Sequence, residues 1–381
     1  MSFQCNAWYT LACLVPVIGV LVLYIGNSGF AFTVHSCEKK VSPYCSDIVT
    51  TISLTHLKFF HPGLEKDILS KLNQLSPDNY VIRAKSESEV NDKRAKHISV
   101  MSPAMEWHDG KLFFSCRVFV TWITDPWNKD YTYLQQFDSQ LRPVAPPKIL
   151  NFPATFHRVQ DPRAFVYRGK PLLELNAEPF SKRNGMVQPT IIIFDINEDE
   201  VIMPDVPFPR TAEKNWMPLV KENDLYFVRT LDPLHVLKCD TVENCKTIAG
   251  NYTSNTAKMA LRGGTPFKQY EGPYYISFAH SMFELDRKVF DTHIVVLNTD
   301  TWEVVFVSSA LMFPSSLFVN RPRINIVWVA DRDFFYPTSL MIENDDTVEV
   351  TGHVNDYSCE TIRVAGMRDL MDKVMQQDRK T

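Results

Sequence analysis

The feature that most constrains the fold is a series of short apolar runs bounded by turn residues, which recurs from about residue 96 to residue 368. The runs are rich in β-branched and aromatic residues, a composition typical of β-strands. Long amphipathic helices do not alternate with them, so a doubly wound parallel sheet is disfavoured. The clearest runs lie at 111–122, 163–177, 189–196, 224–231, 272–280, 293–309 and 324–330.

Turn residues between these runs predict antiparallel hairpins. Arg168-Gly169, Asn223-Asp224 and Asn298-Thr299-Asp300 each lie between two strand-like segments. The region of roughly 270 residues, at a blade length of about 40–45 residues plus insertions, fits a five- or six-bladed β-propeller. The predicted fold class is therefore all-β, and a pair of β-sandwiches is the alternative architecture.

The charge balance argues against one class of partner. The chain of 381 residues carries 40 Lys and Arg against 44 Asp and Glu, which gives a formal net charge of −4. A protein that binds nucleic acid is expected to carry a basic stripe or patch, and no long basic run is present. We therefore expect no nucleic acid partner.

An uncharged apolar segment at residues 8–25 predicts entry into the secretory pathway. It is long enough to cross most of a bilayer as a helix, and it exceeds the roughly 7–15 apolar residues of a signal peptide. No Lys or Arg precedes it, which favours an uncleaved signal anchor. Gly29-Phe30-Ala31 resembles a cleavage site, so a cleaved signal and a secreted protein form the alternative. In both cases the rest of the chain faces the lumen or the exterior.

Cysteine usage agrees with an oxidising compartment. The six cysteines that follow the apolar segment are Cys37, Cys45, Cys116, Cys239, Cys245 and Cys359. An even count in a lumenal chain indicates disulfide bonds. The first two, and likewise the fourth and fifth, are close enough in sequence to staple local loops. This leaves Cys116 to meet Cys359 across the fold, although spacing alone does not establish the connectivity.

One N-glycosylation sequon, Asn251-Tyr252-Thr253, lies in a polar stretch, as expected for an acceptor loop. With the anchor and the cysteines it predicts a single-pass type II membrane glycoprotein of the Golgi apparatus or endoplasmic reticulum, with its catalytic domain in the lumen. The predicted segments are a tail at 1–7, the anchor at 8–25, a stem at 26–95, the β-propeller at 96–368 and a charged tail at 369–381.

Two amphipathic helices are predicted outside the strands. In the stem, Leu64, Ile68 and Leu72 have helical spacing with charged residues on the opposite face. The C-terminal sequence at 367–381 is charged and amphipathic, and we interpret it as a solvated cap with a frayed end.

Polar residues cluster beside Pro, Gly and Trp in four segments roughly 50 to 70 residues apart. These are 160–163 (QDPR), 213–218 (EKNWMP), 262–266 (RGGTP, followed by a strand ending in His280-Ser281), and 336–339 (YPTS, followed by 352–356, GHVND). Corresponding ends of successive propeller blades line one central pocket, so this spacing would bring the segments together. Each segment alone also has a structural interpretation, such as a tight turn or a surface ion pair.

Together these motifs resemble the five-bladed propeller family of β-mannoside phosphorylases and hydrolases. They are also similar to the related β-1,2-mannosyltransferases of fungi and protozoa. The resemblance covers about residues 96 to 365 and is carried by DPR, EKNW, GGTP with the later His-Ser, and YPTS with GxxxD. It implies a five-bladed propeller that acts on β-mannosides.

The resemblance implies roles for individual residues. The Asp of the DPR motif is the general acid or base in that family, which carries over to Asp161. Arg163 would hold sugar hydroxyls or buttress Asp161. Lys214 and Asn215 would face the donor-side anion or sugar. Asp356 resembles the carboxylate that grips hydroxyls of the transferred sugar.

The remaining predicted binding residues come from the same motifs. Gly263 and Gly264 would let the backbone approach the ligand closely, and Thr265 belongs to the same binding segment. His280 would form a polar wall. Trp216 would either stack on a sugar ring or pack in the core.

Three departures from the family pattern bear on the reaction. Gln160 stands where the phosphorylases usually show Glu. Arg229 and His235 lie in the stretch that would supply a phosphate-binding cluster, but they cannot be matched one by one. No second carboxylate for activating water can be chosen from the sequence.

A lumenal enzyme is better placed for glycan extension than for sugar recycling with phosphate. We therefore expect a glycosyltransferase, a β-mannosyltransferase that uses a nucleotide sugar such as GDP-mannose and a glycan acceptor. Asp161 would deprotonate the acceptor hydroxyl and Lys214 would hold the diphosphate. Asp345-Asp346 is interpreted as a hairpin turn and not as a metal motif, so we expect no metal and no further cofactor. The alternatives are a β-mannoside phosphorylase or hydrolase, and a non-catalytic glycan-binding propeller.

Overall fold

Antiparallel strands contain most of the residues that the computed structural model describes. The structure describes residues 25–26, 29–35, 48–57, four alternate positions between 64 and 70, 95–122, 129–179, 189–207, 213–250, 259–284, 288–319 and 332–380. In chain order the strands are β1 (Ile25–Gly26), β2 (Gly29–His35), β3 (Val49–Leu57), β4 (Ala95–His108), β5 (Lys111–Trp122), β6 (Lys129–Phe137), β7 (Lys148–Ile149), β8 (Phe156–Tyr167), β9 (Lys170–Pro179), β10 (Thr190–Asp195), β11 (Glu200–Ile202), β12 (Met217–Lys221), β13 (Asp224–Leu231), β14 (Leu234–Cys239), β15 (Cys245–Ala249), β16 (Met259–Arg262), β17 (Lys268–Glu271), β18 (Tyr274–Glu284), β19 (Lys288–Asn298), β20 (Glu303–Val307), β21 (Phe335–Ile342), β22 (Thr347–Val354) and β23 (Ser358–Ala365). A 3₁₀ turn at Ser315–Leu317 and a C-terminal helix at Met367–Asp378 complete the elements.

These strands form five sheets that we number as blades I to V. Blade I contains β4 to β7, blade II β8 to β11, blade III β12 to β15 and blade IV β16 to β20, while blade V contains β21 to β23 and, from the other end of the chain, β3 with β2 and β1. The innermost strands contact one another in a ring that runs from β4 through β8, β12, β17 and β21 back to β4. The predicted five-bladed propeller is confirmed.

Local sequence patterns place several strands accurately. The predicted runs at 111–122 and 224–231 coincide with β5 and β13. At the hairpin between β8 and β9, Arg168 and Gly169 have φ of 49° and 73°, the left-handed pair that a tight two-residue turn requires. The predicted run at 324–330 lies outside the described residues.

The core is divided among the interfaces between blades. Five apolar clusters are present in the described residues, and each joins two neighbouring blades. Phe165 of blade II, for example, meets Phe227 of blade III edge to face with ring centroids 6.1 Å apart. Leu64 and Ile68, both helical as predicted, are buried in the cluster between blades V and I.

Part of the predicted stem belongs to the propeller. Strand β3 pairs with β23, so Ser53 lies opposite Ala365 and Leu57 opposite Thr361. The assignment of 49–57 to the stem is therefore wrong. Joining an N-terminal strand to a C-terminal hairpin closes the ring and covers an edge that would otherwise remain unpaired.

The C-terminal helix is not a purely solvated cap. Leu370, Met371 and Val374 are buried in the apolar cluster between blades IV and V. Near the end of the helix, Asp378 accepts hydrogen bonds from the Tyr274 hydroxyl at 2.9 Å and the Asn298 amide at 2.7 Å. Most of the predicted charged tail at 369–381 is thus a packed element of the domain.

The cysteine predictions have mixed outcomes. Cys239 and Cys245 form the predicted disulfide. Cys116 and Cys359 are free thiols, so their predicted pairing is wrong. Both are buried in the cluster between blades V and I, where burial raises the pKa of each thiol well above its usual value. The pair Cys37 and Cys45 lies outside the described residues, as does the sequon at 251–253.

Of the predicted anchor at 8–25, only Ile25 belongs to the described part, in strand β1. In that part of the chain, no helix combines the length and the apolar character needed to cross a membrane. Among the same residues no cluster of three or more His, Cys, Asp and Glu side chains is arranged to hold a metal ion.

Candidate active site

A proline interrupts or adjoins the innermost strand of every blade. The five dipeptides are Ser102-Pro103, Asp161-Pro162, Met217-Pro218, Thr265-Pro266 and Tyr336-Pro337. Proline lacks a backbone donor, so a strand tolerates it where that side of the strand needs no ladder partner, as at the channel-facing edge of an inner strand. The strand register shifts at the first two and at the last. These irregularities turn polar side chains from separate blades toward one another.

Asp161 is the carboxylate on which this convergence is centred. Its φ of 52° places the backbone in the left-handed region. Its carboxylate accepts hydrogen bonds from the Ser102 hydroxyl at 2.8 Å, Arg117 Nη1 at 3.2 Å and Asn176 Nδ2 at 3.2 Å. Donors from blades I and II therefore hold both oxygens of a side chain that is 17% exposed.

The charge state of Asp161 follows from these neighbours. Burial raises its pKa, but the positive charges of Arg117 and Arg163 and the hydrogen bond from Ser102 outweigh burial. The pKa of Asp161 therefore lies well below its usual range, and the carboxylate is ionised at physiological pH. In this form Asp161 can accept a proton but has none to donate.

Arg117 is held in turn by a buried carboxylate. Asp130 accepts from Arg117 Nε at 2.7 Å and from Gln160 Nε2 at 3.1 Å, and it also pairs with Arg158. Gln160 thus has a defined partner at the position where the family pattern has Glu. The orientation of Arg117 toward Asp161 is set by these contacts.

Arg163 lies beneath Asp161 with no exposed side-chain surface. It donates to the backbone oxygens of Asp161 and Gly264, to Glu174 Oε2 at 3.2 Å and to Asn215 Oδ1 at 3.3 Å. Arg163 therefore joins blades II, III and IV and buttresses Asp161, and no part of its guanidinium reaches solvent. Burial raises the pKa of Glu174 to about 7, although Arg163 opposes this effect.

The predicted segment at 214–216 separates into three environments. Lys214 is half exposed, and its Nζ lies 3.7 Å from Glu178 Oε1. Asn215 has φ of 60° and its backbone N–H donates to Asn176 Oδ1 at 3.0 Å, so it belongs to the network around Asp161. Trp216 is buried, with its indole N–H donating to Glu213 at 2.9 Å, so its ring packs in the core.

The GGTP segment packs tightly against the protein's own backbone. A Cβ on Gly263 would lie 2.0 Å from the backbone oxygen of Asn215, and one on Gly264 would lie 2.0 Å from that of Phe278. Both glycines therefore allow neighbouring strands to approach closely, and a contact between this segment and a ligand stays a prediction. Thr265 is buried and its hydroxyl accepts the Phe278 N–H at 3.0 Å.

Three rings form one wall of the site. His280 and His353 lie on either side of Tyr336, with ring centroids 4.3 Å and 4.9 Å from it. Burial lowers the pKa of His280 well below its usual value, and nearby Arg262 adds to the effect, so His280 is neutral. His280 is thus a neutral ring packed against Tyr336, and its role as a wall of the binding site stays a prediction.

A hydrogen-bond chain connects Asp356 to Asp161. The Ser102 hydroxyl donates to Asp161, while the Ser102 backbone N–H donates to His353 Nδ1 at 3.2 Å. Because Nδ1 accepts, the proton of the neutral ring is on Nε2, which lies 2.9 Å from Asp356 Oδ1. His353 therefore donates to Asp356, whose side chain is 27% exposed.

Arg262 is the cation of the site that lacks a counter-ion. It is exposed, and it forms no ion pair or side-chain hydrogen bond with the residues that the structure describes. The pKa of the Tyr336 phenol shows that Arg262 acts at this site. Burial raises that pKa, Arg163 and Arg262 lower it, and Asp161 and Asp356 raise it. These four charges therefore act on one hydroxyl, and Arg262 lies opposite His280 in the strand register.

Sequence reasoning missed Ser102, Arg117, Asp130 and Asn176 as site residues, and it gave Arg262 no role although Arg262 lies in the 262–266 segment. Ser102 carries a usable signal, because Ser102-Pro103 repeats the Asp161-Pro162 pattern one blade earlier. Arg117 and Asn176 lie within regular strands, where nothing local distinguishes them from other strand residues.

No family model matches the chain, and no curated protein does. Solved structures share its fold. One is a glycoside hydrolase of the GH130 family of mannoside phosphorylases, described as targeting β-1,2-mannosidic linkages in Candida mannan; the TM-score is 0.50 at 10% identity, over 71% of this chain and 84% of that chain. A β-1,2-mannobiose phosphorylase from Listeria innocua in complex with β-1,2-mannobiose has a TM-score of 0.48 at 10% identity, over 76% and 95%.

At 10% identity, the likeness to the first of these structures establishes the fold. That structure comes from a family of mannoside phosphorylases and hydrolases, the family that the motifs resemble.

Proposed function

We propose that the protein makes and breaks β-mannosidic bonds by transferring the mannosyl group between phosphate and a sugar hydroxyl. The observation that carries this proposal is an ionised carboxylate, Asp161, at a site that also holds an exposed cation, Arg262, without a counter-ion among the described residues. The likeness in fold to a family of mannoside phosphorylases and hydrolases supports the substrate class.

The charge of Asp161 suits the synthetic direction. An acceptor hydroxyl attacks the anomeric carbon of mannosyl phosphate, the bond from that carbon to the phosphate oxygen breaks, and the hydroxyl proton passes to Asp161 directly or through a sugar hydroxyl. The leaving phosphate carries away the bonding electron pair. Arg262 would stabilise its charge, as a guanidinium does for phosphate oxygens. Phosphorolysis is the same step in reverse, in which Asp161 must first carry the proton that it returns to the departing sugar oxygen.

Asp356 would hold hydroxyl groups of the mannosyl unit. His353 occupies one carboxylate oxygen of Asp356, and the partial exposure of the side chain leaves it able to accept from a substrate. Simple hydrolysis is less well supported, because it needs a second carboxylate that activates water, and Asp356 is assigned to the hydroxyl groups of the sugar.

Transfer from GDP-mannose to a glycan acceptor is the second candidate. It uses the same base and the same cation, with a nucleoside diphosphate as the leaving group. It is favoured by the predicted apolar anchor at 8–25, which would place the enzyme in the Golgi apparatus or endoplasmic reticulum, where glycans are extended. Fractionation of cells that express the full chain, with and without 8–25, tests that placement.

Four incubations of the purified protein test the proposal: β-1,2-mannobiose with phosphate, the same sugar without phosphate, mannose 1-phosphate with mannose, and GDP-mannose with mannose. We expect turnover in the first and third. Mannose release without phosphate would indicate a hydrolase, and turnover confined to the fourth would indicate the nucleotide-sugar transferase. Absence of turnover in all four, with Asp161→Asn binding sugar as tightly as the wild type, would favour a glycan-binding propeller.

A further inference from the structure

A cavity of about 570 Å³ lies between blades IV and V, and its lining contains none of the residues assigned above. Aromatic side chains form much of its lining, with Phe290 from β19, Phe313 and Phe318 from the segment after β20, and Phe334 just before β21. Ligand sites of this kind commonly enclose about 300–1,000 Å³ and combine apolar walls with a few polar groups.

The cavity shares a wall with the candidate active site. Phe290 and Phe334 line the cavity, with ring centroids 5.3 Å apart. Phe290 lies 6.2 Å from Tyr336, and Phe334 lies 6.3 Å from His353. The cavity and the candidate active site therefore adjoin each other at Phe290 and Phe334.

The polar lining restricts the chemistry of a ligand. Asp291 pairs with Arg332 at 3.0 Å, and Asp333 contributes a second carboxylate. An anion would meet two carboxylates and a guanidinium that is already neutralised. A wholly apolar ligand would remove water from the ion pair without replacing its hydrogen bonds. A neutral ligand with hydroxyl groups along its edge and an apolar face satisfies both the rings and the ion pair.

We infer that this cavity is a subsite for a further sugar unit of the glycan, beyond the two units that flank the reacting bond. A pyranose ring fits the description, because its C–H face can stack on an aromatic ring while its equatorial hydroxyls bond to carboxylate and guanidinium groups. This inference rests on the proposed function, since it extends the same glycan from the central site.

Filling the cavity tests the inference with a matched control. Ser315 lines the cavity, whereas its neighbour Ser316 does not, and both are exposed. We expect wild type to use β-1,2-mannotriose with a kcat/KM about 10-fold above that for β-1,2-mannobiose, a ratio equivalent to about 1.4 kcal/mol. Ser315→Trp should reduce the ratio to about 1 with unchanged activity on the disaccharide, and Ser316→Trp should retain it.

A second filling variant guards against an unfolded first one. Met312 also lines the cavity and is 44% exposed, so Met312→Trp should lower the ratio in the same way. Equal ratios in wild type and in the two filling variants, all with unchanged thermal unfolding, would overturn the inference.

The subsite can still be tested if the proposed function is wrong. If wild type turns over neither sugar, calorimetry of β-1,2-mannotriose binding replaces the kinetics. Binding about 10-fold weaker in Ser315→Trp than in Ser316→Trp would support the subsite, and equal binding would overturn it.

Discussion

Asp161 and Asp356 have the same backbone conformation but opposite degrees of constraint. Their φ values are 52° and 53°, in the region that L-residues seldom adopt. Asp161 accepts from three side chains in blades I and II, whereas Asp356 is paired with the single ring of His353. The comparison shows that a strained backbone presents a carboxylate, while the number of donors decides whether that carboxylate is fixed or free to bind.

The residues that support Asp161 and Asp356 differ as well. Beneath Asp161, the buried pair Arg163 and Glu174 ties three blades together. Asp356 follows β22 in a hairpin turn, and its position depends on His353. A fixed carboxylate suits proton transfer, which demands exact geometry, and an adaptable one suits the grip on sugar hydroxyls.

Replacement of each aspartate should have the largest effect on activity, and it should separate the role in proton transfer from the role in sugar binding. Asp161→Asn removes the proton acceptor, so we expect kcat to fall about 10³-fold with a small change in KM. Asp356→Asn should mainly raise KM. Steady-state kinetics with mannose 1-phosphate measure both, and circular dichroism controls for folding. A kcat loss in Asp356→Asn as large as that in Asp161→Asn would contradict the division.

The buried pair of Arg163 and Glu174 beneath Asp161 should make the stability of the protein depend on pH. The folded protein holds the Glu174 proton up to about pH 7, but an unfolded chain releases it near pH 4.5. The contribution of Glu174 to the free energy of unfolding should therefore fall by about 3 kcal/mol as pH rises through this window. Glu174→Gln should lack this fall, which urea unfolding from pH 4.5 to pH 8 measures. Parallel curves for the two proteins would refute the assignment.

Arg117 should control the acid limb of the activity profile. Without its charge, the pKa of Asp161 should rise, because one of the two guanidinium groups that oppose the effect of burial is gone. In this variant Asp161 becomes protonated, and inactive as a base, at a higher pH than in the wild type. The acid limb of the kcat/KM profile of Arg117→Gln should therefore move to higher pH. Arg117→Lys keeps the charge and should leave the limb near the wild-type position. Identical limbs in both variants would remove Arg117 from this role.

Two substitutions of His353 should show how strongly the position of Asp356 depends on this ring, and we expect their effects to be the smallest. The amide nitrogen of Gln can replace the donor at Nε2, and the amide oxygen of Asn can replace the acceptor at Nδ1. We expect His353→Asn to raise KM about 10-fold and His353→Gln about 2-fold, with similar kcat. The reverse order would mean that the contact with Ser102 matters more than the contact with Asp356.

Local patterns allowed much of the fold to be predicted. Strand β13 and the turn at Arg168-Gly169 follow from residue alternation and turn chemistry, which operate over a few neighbouring residues. Strand β3 was missed although its buried residues alternate, because its partner β23 lies some 300 residues away in sequence.

The candidate site divides in the same way. Asp161 and Asp356 were chosen from motifs, and both lie in the described network. Arg117 and Asn176 could not be chosen, since each is an unremarkable residue in a regular strand until the neighbouring blade is placed beside it. Their roles depend on the packing between blades.

By itself, the sequence determined the all-β character, the turns and the positions of the unusual proline motifs, because backbone preferences are properties of short segments. Only the tertiary structure decided that Gly263 and Gly264 admit neighbouring strands, that Cys116 and Cys359 remain thiols, and that Arg163 is buried. Each of these outcomes depends on distances between residues far apart in the chain, and those distances exist only after the five blades have closed into a ring.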